Sequence, residues 1–158
     1  MKLTTLALSA ALAVTGTLSN AAQDPQCFPI GGVAIPNFFA EGADQPIIIS
    51  ATLIGTVQNA AGKILRQTET DTGLELELEH YFGRNDGGAF QTKDTAILTA
   101  VPGKPGRFMI EITYDIQTET TRGTLKGVDG TFNSYGLVDM RDTNDLQGLV
   151  RYFGEICK

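Results

Sequence analysis

Four polar side chains occur within otherwise apolar strand patterns: His80, Asp94, Tyr114 and Tyr152. An imidazole, a carboxylate and two phenols can orient a small ligand by hydrogen bonding, or exchange a proton with it. If Asp94 is buried, its carboxylate needs a hydrogen-bonding partner. Hydrogen-bonded packing in the core, or a position at the rim of the fold, is the competing interpretation for each of the four.

The residues around each of these four side chains alternate between two faces, as in a half-buried β-strand. In residues 74–82, a helix would spread the leucines around its circumference, whereas a strand places them all on one face. Burying a whole leucine face outweighs the small helix preference of Leu and Glu. The four faces are Leu74, Leu76, Leu78, His80 and Phe82; Phe90, Asp94, Ala96 and Leu98; Ile112, Tyr114 and Ile116; and Val150, Tyr152 and Ile156.

The chain outside its first residues contains short strand patterns and no helix-length apolar pattern. Seven or eight short strands in succession indicate an all-β meander, which forms either a barrel or a sandwich. Glycines inside the strands favour the sharp bends of a small barrel, so we predict a single antiparallel β-barrel of about eight strands. Pro36 confines the first strand to an edge or a bulge, and 59–62 is predicted to be a turn. The predicted strands are 31–40, 45–59, 63–71, 74–82, 89–101, 107–117, 131–141 and 146–157.

Cys27 and Cys157 are the only cysteines. Two cysteines in an exported protein typically form one disulfide, which would join the two ends of the barrel domain. Joined ends favour closure of the sheet, because closure removes its edge strands. The alternative is two free thiols, one of them a nucleophile, but the sequence places no histidine near either.

The N-terminal segment has the pattern of a signal peptide. Lys2 is followed by an apolar, uncharged run to Leu18 and then by small residues suited to cleavage. We therefore predict a signal peptide at 1–22, one domain at 23–158, and a secreted or periplasmic location without a membrane anchor. Losing Lys2 leaves 11 basic and 18 acidic residues, a charge of −7. This charge disfavours nucleic acid as a partner.

The C-terminal half resembles the allene oxide cyclase barrel-like family and, more distantly, the dirigent proteins. The resemblance implies an eight-stranded antiparallel barrel, which is often trimeric in plant members, so a homo-oligomer is a further expectation. Plant cyclases act on a fatty-acid-derived epoxide and dirigent proteins steer phenoxy radical coupling, but no catalytic residue of either transfers to this chain. The segments that carry the resemblance are HYF at 80–82, DGGAFQTKDTA at 86–96, GTLKGVDGTF at 123–132, GLVD at 136–139 and RYFGEIC at 151–157.

The sequence contains no nucleophile motif, phosphate-binding loop or metal-ligand spacing. His80 is the only histidine, which leaves little for zinc or triad chemistry, and we predict neither a metal nor a cofactor. Asp139, Asp142 and Asp145 lack the spacing of a calcium-binding loop and are interpreted as a solvated turn.

Three functions remain open. The favoured hypothesis is a barrel that holds a small hydrophobic ligand in its interior without turnover. The second is an isomerase or cyclase that orients a reactive lipid or phenolic intermediate, and the third is a filled barrel that acts as a structural or interaction module. A cavity above about 300 Å³ favours the first two. A filled barrel with an apolar outer strip favours the third.

Overall fold

A computed structural model describes residues 25–39, 45–142 and 146–158. The predicted signal peptide at 1–22 and most of the turn that joins the last two strands lie outside these residues. The described chain forms eight strands: β1 Cys27–Phe39, β2 Ile48–Gly55, β3 Asn59–Thr70, β4 Gly73–Gly83, β5 Ala89–Ala100, β6 Arg107–Arg122, β7 Thr131–Asp139 and β8 Leu146–Cys157.

The strands form a closed barrel in chain order. Each strand pairs antiparallel with its neighbours in sequence, and β1 pairs with β8 to complete the ring. The predicted all-β antiparallel barrel of eight strands is therefore confirmed. In the described part of the chain the only helix is the 3₁₀ turn Gly123–Leu125, and no helix there has the length and hydropathy needed to cross a membrane.

A disulfide clamps the seam between β1 and β8. Cys27 and Cys157 face each other across this strand pair and are bonded at 2.04 Å, as predicted. Next to the disulfide, the backbones of Gln26 and Lys158 exchange two hydrogen bonds of 3.0 Å. The two ends of the described domain are thus held together by covalent and backbone interactions at one end of the barrel.

Alternation sorts the side chains into an apolar interior and a polar exterior, as β4 shows. Leu76, Leu78 and His80 are buried inside, whereas the intervening glutamates are exposed. Two of these glutamates, Glu77 and Glu79, pair outside with Arg66 and Lys63 of β3. The face predicted for this segment is therefore confirmed.

The two ends of the barrel differ in how they are filled. The disulfide end is sealed by fully buried side chains, among them Val57, Phe90, Leu125, Val128 and Phe132. The opposite end is lined by apolar side chains that are only partly buried: Phe38, Ile64, Leu74, Phe108 and Met140. The fold is therefore a cup, with a closed floor and an apolar mouth.

The predicted turn at 59–62 is wrong. Asn59 already lies in β3, where it faces Thr52 of β2 and Gly83 of β4, and the chain reverses at residues 56–58 instead. The sequence Asn-Ala-Ala-Gly has turn-forming residues at both ends, which suggested the reversal. In the barrel the glycine serves a packing purpose, because His80 of β4 occupies the space where a side chain would lie.

Apart from β3, two strands extend by four or more residues beyond their predicted limits. β1 begins at Cys27 rather than at residue 31, and β6 continues to Arg122 rather than ending at residue 117. Both extensions depend on partners that are distant in sequence. The start of β1 pairs with the end of β8, and the end of β6 reaches Ala89 of β5.

Pro36 lies where the backbone pairing between β1 and β8 is interrupted. It faces Ala51 of β2, whereas the pairing with β8 is interrupted between Ala34 and Asn37. Proline has no N–H to donate, so an interrupted ladder accommodates it without the loss of a backbone hydrogen bond. The closed barrel thus contains this proline without an edge strand.

We expect the disulfide to supply a large part of the stability. Replacing both cysteines, as Cys27→Ser with Cys157→Ser, should lower the free energy of unfolding by about 2–5 kcal/mol, since the bond closes a long loop in the unfolded chain. Denaturant titration followed by circular dichroism measures the loss. Reduced wild-type protein is the control and should match the double variant. Equal midpoints for the oxidised wild type and the variant would contradict this expectation.

Candidate functional site

An apolar cavity runs from the mouth into the barrel. Side chains from all eight strands line it, and most are aliphatic or aromatic. Its volume is about 70 Å³. The lining residues are Ala34, Pro36, Phe38, Ile47, Ile49, Ala51, Leu53, Ala60, Ile64, Gln67, Leu74, Leu76, Leu78, His80, Phe82, Leu98, Ile110, Ile112, Tyr114, Val138, Met140, Val150 and Tyr152.

The cavity is long and narrow. Its lining extends along β4 from Leu74 at the mouth to His80 and Phe82 near the floor. With a rise of about 3.3 Å per residue and a strand tilt of about 40°, Leu74 and His80 are separated by roughly 15 Å along the barrel axis. A volume of 70 Å³ is small for that depth, so a slender chain would displace fewer side chains than a fused ring system would.

His80 and Asp94 form a buried pair near the inner end of this cavity. Nδ1 of His80 lies 2.5 Å from Oδ2 of Asp94, and the Asp94 side chain is fully buried. The two residues belong to neighbouring strands, and both point inward because they occupy alternating inner positions. The sequence predicted each residue to be inside but did not predict their contact.

The other oxygen of Asp94 has no hydrogen-bond partner among the described residues. The same is true of the buried hydroxyl of Thr92, two residues earlier on the inner face of β5. Buried polar atoms are nearly always paired, because leaving one unpaired costs about 1–3 kcal/mol. Two such atoms beside one ion pair mark this cluster as more than apolar packing.

Tyr114 completes the cluster from β6. Its hydroxyl shares a 3.0 Å hydrogen bond with Ser134, and its ring stacks on Phe132 at a centroid distance of 4.5 Å. Burial raises the pKa of Tyr114 well above its ordinary value, and the nearby Asp94 raises it further, against the opposing effect of the Ser134 bond. The phenol therefore stays protonated at neutral pH and cannot serve as a general base.

Tyr152 lies apart from the other three candidates and has a packing role. The Val57 N–H donates to its hydroxyl and that hydroxyl donates to the Val57 carbonyl, each at 3.3 Å. A Cβ at Gly32 or Gly55 would lie 2.6 or 2.5 Å from this hydroxyl, so both glycines are needed for its position. Tyr152 touches the cavity, but both hydrogen-bonding functions of its hydroxyl are already used.

Gly62 sets the position of His80. A Cβ at this residue would overlap the His80 ring and would lie 2.6 Å from the Glu79 carbonyl oxygen. The imidazole therefore lies flat against the backbone of β3. Sequence reasoning missed Gly62, Thr92 and Ser134 as parts of the site. Of these three, Thr92 is the one that the strand pattern could have indicated, since it shares the alternating inner face of Asp94.

The rim beside β6 and β7 carries an ion cluster. The Asp139 carboxylate is held by Arg107 at 3.1 Å and by Arg141 at 2.6 Å. Hydrogen bonds from Arg141 above all, with a further one from Arg107, hold the pKa of Asp139 well below its usual range. Two guanidinium groups thus hold one carboxylate at this part of the rim.

Among the described residues, one group of three side chains has metal-ligand geometry: Cys27, Glu155 and Cys157. Both sulfurs are joined in the disulfide, so neither can act as a thiolate ligand. The group therefore offers only the carboxylate of Glu155 in the oxidised protein.

The outer surface has an apolar strip on one side of the barrel. Leu137 of β7 lies between Met109 of β6 and Leu149 of β8, and Leu149 is 60% exposed. On the opposite side, β3 and β4 present charged residues to solvent, together with the exposed Leu65 of β3. The members of this outer apolar strip are Val33, Ile35, Met109, Tyr135, Leu137, Leu149 and Phe153.

Comparison with family models, curated proteins and solved structures found no match to this chain. The allene oxide cyclase-like resemblance therefore remains a prediction. The functional argument depends on the geometry of the barrel alone.

We expect Gly62→Ala to disturb the His80–Asp94 pair. Overpacking against a ring and a backbone carbonyl should cost about 1–3 kcal/mol. The variant should also shift the NMR signal of the single imidazole, since the ring must move to admit the methyl group. Gly83→Ala on β4 is the matched control, because its new methyl would meet only the Tyr81 ring at 3.5 Å. An unchanged imidazole signal in Gly62→Ala would contradict the positioning role.

Proposed function

We propose that the protein holds a slender hydrophobic small molecule inside the barrel without turning it over. The observation that carries this proposal is the apolar cavity, which among the described residues opens at the mouth, is closed at the floor and ends beside the His80–Asp94 pair. Ligand pockets typically combine apolar walls with a few convergent polar groups, and this cavity has that composition.

The cavity volume restricts the ligand. At about 70 Å³ it is smaller than the 300 Å³ typical of pockets for drug-sized molecules, so the volume by itself favours the filled-barrel alternative. The binding proposal depends instead on the apolar lining and the polar pair at its inner end. A bulky phenolic or fused-ring ligand would have to displace many core side chains, whereas an unbranched aliphatic chain would displace the fewest, so the proposed ligand is an aliphatic one.

Binding without turnover is better supported than an isomerase. The polar side chains that line the cavity are Gln67, His80, Tyr114 and Tyr152. The hydroxyls of Tyr114 and Tyr152 are engaged with Ser134 and Val57, and Gln67 is at the mouth. His80 and the Tyr114 hydroxyl each keep a free hydrogen-bonding function at the inner end, but burial raises the pKa of Tyr114 and makes the phenol a poor proton donor. Isomerisation needs a proton both removed and supplied at separate atoms.

A secreted or periplasmic location is part of the proposal. The Cys27–Cys157 disulfide needs an oxidising compartment to form and persist, and the N-terminal segment has the pattern of an export signal. Membership in the allene oxide cyclase-like group is proposed on the residues quoted above together with the eight-stranded barrel.

Filling the cavity should abolish binding. Ala51 lines it from β2, and Ala51→Phe would place a ring in the channel and exclude an aliphatic ligand. The adjacent residue Thr52 points outward, so Thr52→Phe is the matched control. We expect mass spectrometry of organic extracts from the purified wild type and Thr52→Phe to detect a bound aliphatic molecule that is absent from Ala51→Phe.

Titration with a fluorescent aliphatic chain provides a second measurement in protein stripped of endogenous ligand. Wild type and Thr52→Phe should bind it with equal affinity, and Ala51→Phe should lose at least about tenfold, or 1.4 kcal/mol. Equal binding by all three proteins would place the ligand outside the barrel and contradict the proposal.

Self-association is a second candidate function, favoured by the outer apolar strip. Contiguous exposed apolar surface on a soluble protein commonly marks an interaction site. Within the strip, Tyr135 lies between Glu111 and Arg151 on neighbouring strands. Because the patch contains both an acidic and a basic side chain, two copies related by a two-fold axis can place the acid of each opposite the base of the other. The proposed partner is therefore a second copy of this chain.

A charge introduced into the strip should weaken self-association. Leu149→Lys places an ammonium group at the centre of the apolar surface and should shift the protein towards the monomer by at least about tenfold in dissociation constant. Thr68→Lys on the charged side is the control. Sedimentation velocity over a range of concentrations measures the effect. A monomeric wild type at high concentration would refute this candidate function.

A further inference from the structure

We propose that the ligand ends in an uncharged hydroxyl group, which binds the free nitrogen of His80 at the inner end of the cavity. This inference rests on the proposed function, since it specifies which end group of an aliphatic ligand enters first. The ligand class is therefore an aliphatic alcohol rather than a hydrocarbon or a fatty acid inserted carboxylate-first.

The first step of the argument is the orientation of the imidazole. Asp94 engages Nδ1 of His80, so the nitrogen left over is Nε2. His80 lines the cavity, whereas Asp94 lies behind it and does not. No hydrogen bond from Nε2 to another described residue accompanies this arrangement. Asp94 thus positions the ring, and Nε2 is available to a molecule in the cavity.

The second step concerns charge. Among the described residues, His80 and Asp94 are the only buried side chains other than tyrosine that can carry one, and they are already paired. A carboxylate or ammonium group brought to this depth would be a further buried charge without a partner of its own, at a cost of several kcal/mol.

The third step is the hydrogen-bonding capacity of the end group. Nε2 accepts a hydrogen bond when the imidazole is neutral and donates one when it is protonated. A hydroxyl group can do either, so it satisfies His80 in both states. A hydrocarbon end would leave Nε2 desolvated and unpaired, which costs about 1–3 kcal/mol.

The experiment compares two probes of equal length, 1-octanol and 1-chlorooctane, with octanoate as the charged counterpart. Binding is followed by NMR titration of wild-type protein stripped of endogenous ligand. The chain has one histidine, so its imidazole signal reports on His80 without further assignment. We expect 1-octanol to bind about 5- to 10-fold more tightly than 1-chlorooctane and to shift the imidazole signal.

The matched variant removes the whole pair, as His80→Phe with Asp94→Leu. Replacing His80 alone would leave a buried carboxylate without a partner, and the variant would be destabilised for that reason. In the double variant, the preference for 1-octanol over 1-chlorooctane should disappear.

The outcomes separate this inference from the proposed function. If both uncharged probes bind wild type equally, recognition of the hydroxyl group is refuted and binding in the barrel stands. If neither probe binds, both the recognition of the hydroxyl group and the binding of an aliphatic ligand in the barrel are refuted. If octanoate binds more tightly than 1-octanol and also shifts the imidazole signal, the charge argument is wrong and the inference falls. The wild-type comparison decides the question even if the double variant does not fold.

Discussion

Closure of the sheet by the pairing of β1 with β8 is the constraint on which the rest of the structure depends. It brings the two ends of the described domain together, with Cys27 bonded to Cys157 at the seam. Without it, β1 and β8 would be edge strands with unpaired backbone groups, and the inner faces would lack a common interior. Every contact of the candidate site spans strands that closure holds in a ring.

The barrel is asymmetric along its axis, and this asymmetry gives the cavity its character. Large, fully buried side chains such as Phe90 and Phe132 fill the disulfide end, whereas partly buried side chains such as Leu74 and Met140 line the mouth. The interior is therefore most tightly packed at the end where the two chain ends are fastened.

The polar cluster lies between these two regions and works against stability. Asp94 and Thr92 each bury an unpaired oxygen, in a core that aliphatic residues could have filled. Such groups are costly unless a partner satisfies them, which distinguishes this cluster from ordinary apolar packing. The outer apolar strip is a separate feature, since it faces away from the cavity.

The sequence by itself determined the strands, their inward faces and the cysteine pair, because alternation with a period of two is a local property and two cysteines allow one pairing. It also identified His80, Asp94 and Tyr114 as inward-facing polar residues. Only the tertiary structure decided that these three meet and that Tyr152 instead fastens Val57, because strand register and barrel closure set distances between residues far apart in the chain. Gly62 was predicted to lie in a turn for the same reason. The His80 ring that occupies its side-chain space belongs to a neighbouring strand, which the local sequence does not reveal.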